Sequence, residues 1–422
     1  MQCVAHVTRA AWSLIRDATL RTVARETVDI LRGMSIAAVV SFHFYADHLG
    51  VMLPASAFQR FSSAIAAHDP VGLIASAAGT LVGTVAYRVD MFLFVTGLVL
   101  AMAPRRPVRE FLARRARAVL PQYWMGSVLV ATCLVLLAVV RALAGNVPIG
   151  PEIHHGTQLA GAPYLFEPTD LLLSLSIVGR FESTRTFQVV APSMWYVMLA
   201  LQIYILFPWL RALRARVGSL GFVAIIFGVT WAMRESVFAY DWAPGFDRNA
   251  AVLYLIPFRL APVAIGMIAA EWISRQSSTP RRGWLYLGVL PALAWLTISV
   301  WLAGDINQPD TWAGIIGPVL PMVLGIPAIW WLAVAARVTP GIGALLAWVG
   351  RTSLAVLVVQ DALRLVATTA GADFGRWFWP LLIVFLVSSA ALARLWQPVV
   401  EHVRDYFWRV PAQPVAAVHV RS

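Results

Sequence analysis

Lysine is absent from this chain and cysteine occurs only twice. Cys3 and Cys133 lie far apart, and Cys133 sits inside an apolar run. That excludes a disulfide framework or a cysteine zinc site, and no metal site is expected. Charge is scarce: Asp, Glu, Lys and Arg together make up 13% of the 422 residues. With 59% apolar residues and a mean hydropathy of +0.73, a soluble protein of this size is excluded. Internal repeats and polar stretches long enough for a soluble domain are both missing. The first 28 residues lack the apolar core of a standard signal peptide, because Arg9 and Arg16 interrupt it.

What is present is a series of long apolar runs. Ten spans are expected, at roughly 29–49, 85–103, 118–144, 193–213, 220–240, 252–272, 284–303, 312–336, 345–367 and 377–397. The fold class is therefore all-α, a polytopic membrane protein with about ten transmembrane helices. The 18 tryptophans suit interfacial belts. All 33 basic residues are arginines, and they fall mostly in alternate loops, so the net charge of +12 reflects topology and not nucleic-acid binding. One side carries Arg105, Arg106, Arg109, Arg114, Arg115 and Arg117, then Arg211, Arg214 and Arg216, then Arg275, Arg281 and Arg282. The other carries acids such as Glu152, Glu167, Asp241 and Asp305. The positive-inside rule puts both termini in the cytoplasm. The expected organisation is a cytoplasmic amphipathic segment at 1–28, a membrane domain at 29–397 and a cytoplasmic tail at 398–422. The Ala/Gly-rich stretch 71–84 reads as interfacial or re-entrant, or as an eleventh span. The loop 145–192 is long enough to cap an outward-facing cavity.

Within the first span, Arg32 and His43 stand eleven residues apart. At ~100° and ~1.5 Å per residue they point to nearly one face, roughly 16 Å apart. Ionisable groups at such depth are costly and usually face a protein interior or a watery path. A histidine there is the natural general base. The competing reading is an interhelical packing hydrogen bond. Asp47 could orient the ring or sit solvated at the outer mouth. His48 is a weaker base candidate, and His154 and His155 read as loop residues.

An ordered set of motifs resembles the acyltransferase-3 family of integral membrane O-acyltransferases. Asp29, Arg32, Gly33 and His43 match its first span. Val89-Asp90, Phe92, Phe94 and Thr96-Gly97 match its second. Arg114, Arg115 and Arg117 lead to Pro121 and Tyr123; Trp195, Gln202, Tyr204 and Pro208 follow, then Pro257, Arg259 and Gly266, then Gly350 and Ser353. The chain departs from the pattern at Ala118, Ala200 and Gln360. The resemblance implies transfer of an acyl group, by default acetyl, from cytoplasmic acyl-CoA to a hydroxyl of an extracytoplasmic glycan or glycosylated acceptor. No cofactor is held permanently, and acyl-CoA is the donor substrate. The location implied is the bacterial cytoplasmic (inner) membrane, with the bilayer itself a partner.

On that resemblance His43 is the base, with Asp47 beside it. Arg32, Arg114, Arg117 and Tyr123 face the donor, because the CoA phosphates need a cationic mouth. Asp90, Trp195, Gln202, Tyr204 and Arg259 face the acceptor. Each has a plainer alternative: snorkelling or pairing with Asp29 for Arg32, helix capping for Asp90, interhelical glue for Gln202. Thr96 and Gly97 read as a close helix contact. A transporter or flippase of a lipid-linked sugar would also explain ten spans with intramembrane charges, though such folds often show repeat symmetry.

Overall fold

The computed structural model describes residues 25–41, 43–44, 62–70, 73, 90–145, 192–239, 255–275, 332–337, 339, 341–369 and 378–407. Among them the regular structure is helical and no strand occurs. That follows from hydrocarbon surroundings, where each backbone N–H and C=O must be satisfied within its own helix.

Eight main helices can be named. α1 covers residues 25–41 and continues at 43–44. α2 is Asp90–Met102 and α3 is Val108–Gly145. α4 is Trp195–Ala239, entered through a 3-10 turn at Pro192–Met194. α5 is Leu260–Arg275, entered through a 3-10 turn at Ile256–Arg259. α6 is Ile342–Arg351, α7 is Ser353–Thr369 and α8 is Phe378–Phe407. Among the described residues three helices are long and apolar enough to cross a membrane, and α6 with α7 makes a fourth if that bent pair is one span. A polytopic helical membrane fold is thus present. The expected spans at 284–303 and most of 312–336, the segment 1–24, the stretch 74–84 and the loop 146–191 lie outside the described residues.

Three details refine the sequence reading. The expected spans 193–213 and 220–240 appear as the two helical halves of α4, which meet at a kink at Gly218 with φ 73° and ψ 176°. That backbone region is open essentially to glycine alone. Phe207 and Leu210 before the break share a buried cluster with Phe222 and Ile226 after it. The expected span 345–367 is an elbow: α6 and α7 meet at 81° around Thr352. The last helix runs to Phe407, so residues 398–407 are helical.

Close packing uses the motif glycines. A Cβ on Gly33 would overlap the Leu346 carbonyl of α6, and one on Gly350 would overlap the Asp29 carbonyl of α1. Gly97 of α2 and Gly266 of α5 likewise press against the Val263 and Phe94 carbonyls. Without a hydrophobic drive between helices in lipid, such small-residue contacts let backbones touch and dispersion act. Ile36, Val40 and Phe44 of α1 share one buried cluster with α3, α7 and α8, while Ile30 and Leu31 share another with α2, α5 and α6. α1 is therefore wrapped along its length, which holds Arg32 and His43 at fixed places.

Candidate functional site

Five polar side chains converge near the far end of α1. His43 Nδ1 lies 3.1 Å from Ser193 Oγ, in the 3-10 turn before α4. It also lies 3.0 Å from Gln360 Nε2 and 3.3 Å from Gln360 Oε1, on α7. Ser193 Oγ donates to Asp361 Oδ1 at 2.6 Å, and the Ser193 backbone N–H donates to Asp361 Oδ2 at 3.1 Å. Arg364 pairs with Asp361 at 3.3 Å and donates to Ser193 Oγ at 3.2 Å. Ser193, Gln360, Asp361 and Arg364 are buried, whereas His43 is only partly so. Buried charges survive when paired and hydrogen-bonded, and this ion pair is both.

One assignment of the imidazole's proton gives every contact around Ser193 both a donor and an acceptor. Arg364 cannot accept, and an ionised Asp361 cannot donate. The single Ser193 hydrogen therefore goes to Asp361, and the serine's lone pairs receive Arg364 and His43. His43 must donate from Nδ1, so Nε2 carries the lone pair. The Gln360 amide fits this when its oxygen faces Nδ1; oxygen and nitrogen of an amide have the same shape. An imidazole in this state can take a proton at Nε2.

Past Ser193, α4 carries two tyrosines with polar neighbours. Tyr196 OH lies 2.6 Å from Thr96 Oγ1 of α2, with Phe92 stacked on the Tyr196 ring at 5.1 Å. Two turns on, Tyr204 meets Arg115, whose guanidinium lies 5.5 Å from the Tyr204 ring and 5.6 Å from the Phe111 ring. Arg32 lies within electrostatic range of Tyr196, Tyr204 and Arg115. It also pairs with Asp29 at 3.5 Å.

Beyond Arg32 a cavity of about 1040 Å³ opens. Its walls carry Arg25, Arg32, Arg105, Arg211 and Arg214, against Asp29 and Glu271. Arg214 is held by Glu271 and by the Met267 carbonyl, and Arg211 donates to the Ala103 carbonyl at 3.2 Å. Gly218 and Ser219, at the break in α4, line the same cavity as this arginine pair. An anion of nucleotide size fits such a cationic cavity in both volume and charge.

The sequence-derived residues divide. Tyr204 meets Arg115, and His43 belongs to the network. The cavity wall holds Arg32 and not His43. Arg114 is exposed and Arg117 half-buried; neither lines the cavity, and Arg115 is the member of that run turned toward Tyr204. Tyr123 is fully buried in the cluster that contains Phe44. Gln202 accepts the Ile256 N–H at 3.1 Å and so anchors the turn that carries Arg259, itself buried. Trp195 and Asp90 each open a helix. Asp47 and His48 lie outside the described residues.

The sequence reading missed Ser193, Asp361, Arg364, Arg115 and the wall arginines Arg25, Arg105, Arg211 and Arg214. A signal existed for two of them. Asp361 and Arg364 are the ionisable residues of the otherwise apolar α7, and intramembrane charges default to function. Ser193 had none, since serines are common in apolar spans.

Against this geometry stands one comparison: the family model described as an acyltransferase domain, acyltransferase-3, matches residues 25–394. The chain belongs to the acyltransferase-3 family. It is a membrane acyltransferase, and the matched stretch contains the polar network, the two tyrosines and the cavity. No curated protein and no solved structure matches this acyltransferase. Among its described residues no cluster of His, Cys, Asp or Glu could hold a metal ion.

Proposed function

We propose that this acyltransferase moves an acyl group, by default acetyl, from cytoplasmic acyl-CoA to a hydroxyl of an extracytoplasmic glycan or glycosylated acceptor. The observation that carries this is the presence, in one family-matched domain, of a five-arginine cavity holding Arg32 and a histidine network at the other end of α1. The CoA phosphates meet the arginines at the mouth. The extended donor arm follows Tyr204, Tyr196 and Thr96 toward His43, roughly 16 Å deeper by helix rise.

The acceptor hydroxyl gives its proton to His43 Nε2 as its oxygen attacks the thioester carbonyl. The tetrahedral oxyanion then collapses, the C–S bond breaks, and the leaving thiolate takes the proton from the imidazolium. The products are the acyl ester and CoA thiol. The Tyr196 hydroxyl, three residues after Ser193, is the donor offered to steady that negative charge, while Arg32, roughly 16 Å from His43 by helix rise, belongs to the donor mouth. Asp47, Asp90, Trp195 and Arg259 remain candidates for the acceptor side, and Arg114, Arg117 and Tyr123 for the donor side. Positive-inside placement of the arginine-lined end supports a cytoplasmic donor mouth and a bacterial inner-membrane location.

The test is acyl transfer by the purified full chain in lipid nanodiscs. Labelled acetyl-CoA is the donor, and the glycolipid fraction of the cells that make the protein is the acceptor. Label in glycan that depends on His43 supports the reading. Equal turnover by His43→Ala removes it.

A further inference from the structure

We infer that Ser193 and Asp361 are positioning residues for His43: the hydroxyl relays the carboxylate to Nδ1, so that Nε2 is the basic nitrogen and the imidazolium is stabilised as it forms. This rests on the reading of His43 as base. The relay follows from valence. Ser193 Oγ has one hydrogen, spent on Asp361 at 2.6 Å, and two lone pairs, filled by Arg364 and His43. Asp361 in turn is fixed at both oxygens, by the Ser193 hydroxyl and the Ser193 backbone N–H. Neither side chain can turn without breaking a buried bond. The arrangement ties Ser193 to Asp361 at two points, and its first consequence for chemistry is the placement of one proton.

No proton crosses the relay during the reaction. The proton taken from the acceptor arrives at Nε2 and leaves from Nε2, while Nδ1–H stays on the ring. Asp361 acts on the positive ring through the polarised serine, and Arg364 acts against it. Asp361 and Arg364 are the charged groups that reach His43 from α7. The 3-10 turn contributes the neutral Ser193, α3 brings the neutral Tyr123 into the same core, and α8 brings Phe385 against Phe44.

Opposed charges give the proposal a signature. The rate rises with pH as His43 loses its proton. Asp361→Asn removes the stabilising charge, so the acid limb of the profile moves to lower pH. Arg364→Gln removes the opposing charge, so that limb moves to higher pH. In serine hydrolases the carboxylate that holds the histidine tautomer is worth up to about 10⁴-fold in kcat. With a hydroxyl interposed and the Gln360 amide in reserve, Ser193→Ala is expected to lose roughly 10²-fold in kcat, within the usual range for acid–base groups. KM for the donor stays unchanged, because the cavity arginines are untouched.

The experiment measures CoA-thiol release from acetyl-CoA, with the same glycolipid acceptor, across pH. It uses the full chain and Ser193→Ala, Ser193→Thr, Asp361→Asn, Arg364→Gln and His43→Ala. Opposite limb shifts for the two charge variants, with Ser193→Thr recovering most of the kcat lost in Ser193→Ala, support the relay. Wild-type kcat and limb in Ser193→Ala overturn it, as does an acyl adduct trapped on Ser193, which would make the serine a nucleophile. The Ser193 variants leave the buried ion pair intact, so they decide the matter even if a charge variant fails to fold. A fully active His43→Ala brings down the base assignment itself, whereas a dead His43→Ala beside an unaffected Ser193→Ala brings down only the relay.

Discussion

His43, Arg32 and Arg115 show how much a single side chain's surroundings decide. His43 stands in an apolar span where an ionisable group is expensive, and it is held by neighbours 150 and 317 residues away in sequence. Replacing it by alanine is expected to lower transfer by roughly 10²–10⁴-fold, the contribution of a placed acid–base group, while the fold persists. Nanodisc turnover with labelled acetyl-CoA checks this, with circular dichroism as the control. Arg115 differs from Arg114 in orientation alone. Phe111, Arg115, Val119 and Tyr123 recur every four residues, and Phe111, Val119 and Tyr123 are buried. That stripe turns Arg115 inward onto Tyr204, and the spacing was available in the sequence. Arg115→Gln is expected to depress turnover more than Arg114→Gln, because Arg115 is the one turned onto Tyr204. Parallel kinetics of the two variants measure the difference.

Helices acquire their places through glycine. The α1–α6 and α2–α5 contacts are backbone to backbone, at Gly33 with Gly350 and Gly97 with Gly266. A side chain at Gly266 must force α5 off α2, so Gly266→Val is expected to cost about 1–3 kcal/mol or more, as overpacked contacts do. Gly228→Ala meets nothing within 4 Å and serves as the neutral control. Thermal unfolding of the detergent-solubilised protein, read by tryptophan fluorescence, separates the two. Gly218 is a different case, since nothing crowds it and its φ of 73° is what matters. Gly218→Ala is expected to cost about 1–3 kcal/mol through backbone strain. Because Gly218, Arg211 and Arg214 line one wall, that variant should also raise KM for acetyl-CoA. Gly97 was legible in the sequence as a close-contact signal inside an apolar run, whereas Gly33, Gly266 and Gly350 were legible only as members of motifs. The elbow at Thr352 was not, because hydropathy reports depth and not direction.

At the scale of the whole molecule, arginines from three separate segments meet at one end. Arg25 and Arg32 come from α1, Arg105 from the turn after α2, and Arg211 and Arg214 from the middle of α4. A cavity that binds phosphates through such charges responds to salt, with a Debye length of about 10 Å at 0.1 M. KM for acetyl-CoA is therefore expected to rise with ionic strength, and to rise further in Arg25→Gln and Arg105→Gln with kcat little changed. That pattern marks lost ground-state binding. Steady-state kinetics from 0.05 to 0.5 M NaCl, a range spanning strong to weak screening at roughly 14 to 4 Å, measures it. Positive-inside topology makes a further demand: single cysteines at Arg105 and Arg216, in a protein with Cys3 and Cys133 replaced by serine, should react with an impermeant thiol reagent only from the cytoplasmic side. Labelling from the outer face would reverse the proposed orientation.

Composition and hydropathy by themselves determined that this chain is a helical membrane protein, because apolar runs of span length have no other stable home. Motif order determined the family, and helical periodicity placed Arg32 and His43 on one helix face. Only the tertiary structure decided which arginines share a cavity and that Ser193, Gln360, Asp361 and Arg364 gather around His43. Those depend on how each helix is rotated against its neighbours, and rotation is set by contacts between residues hundreds of positions apart.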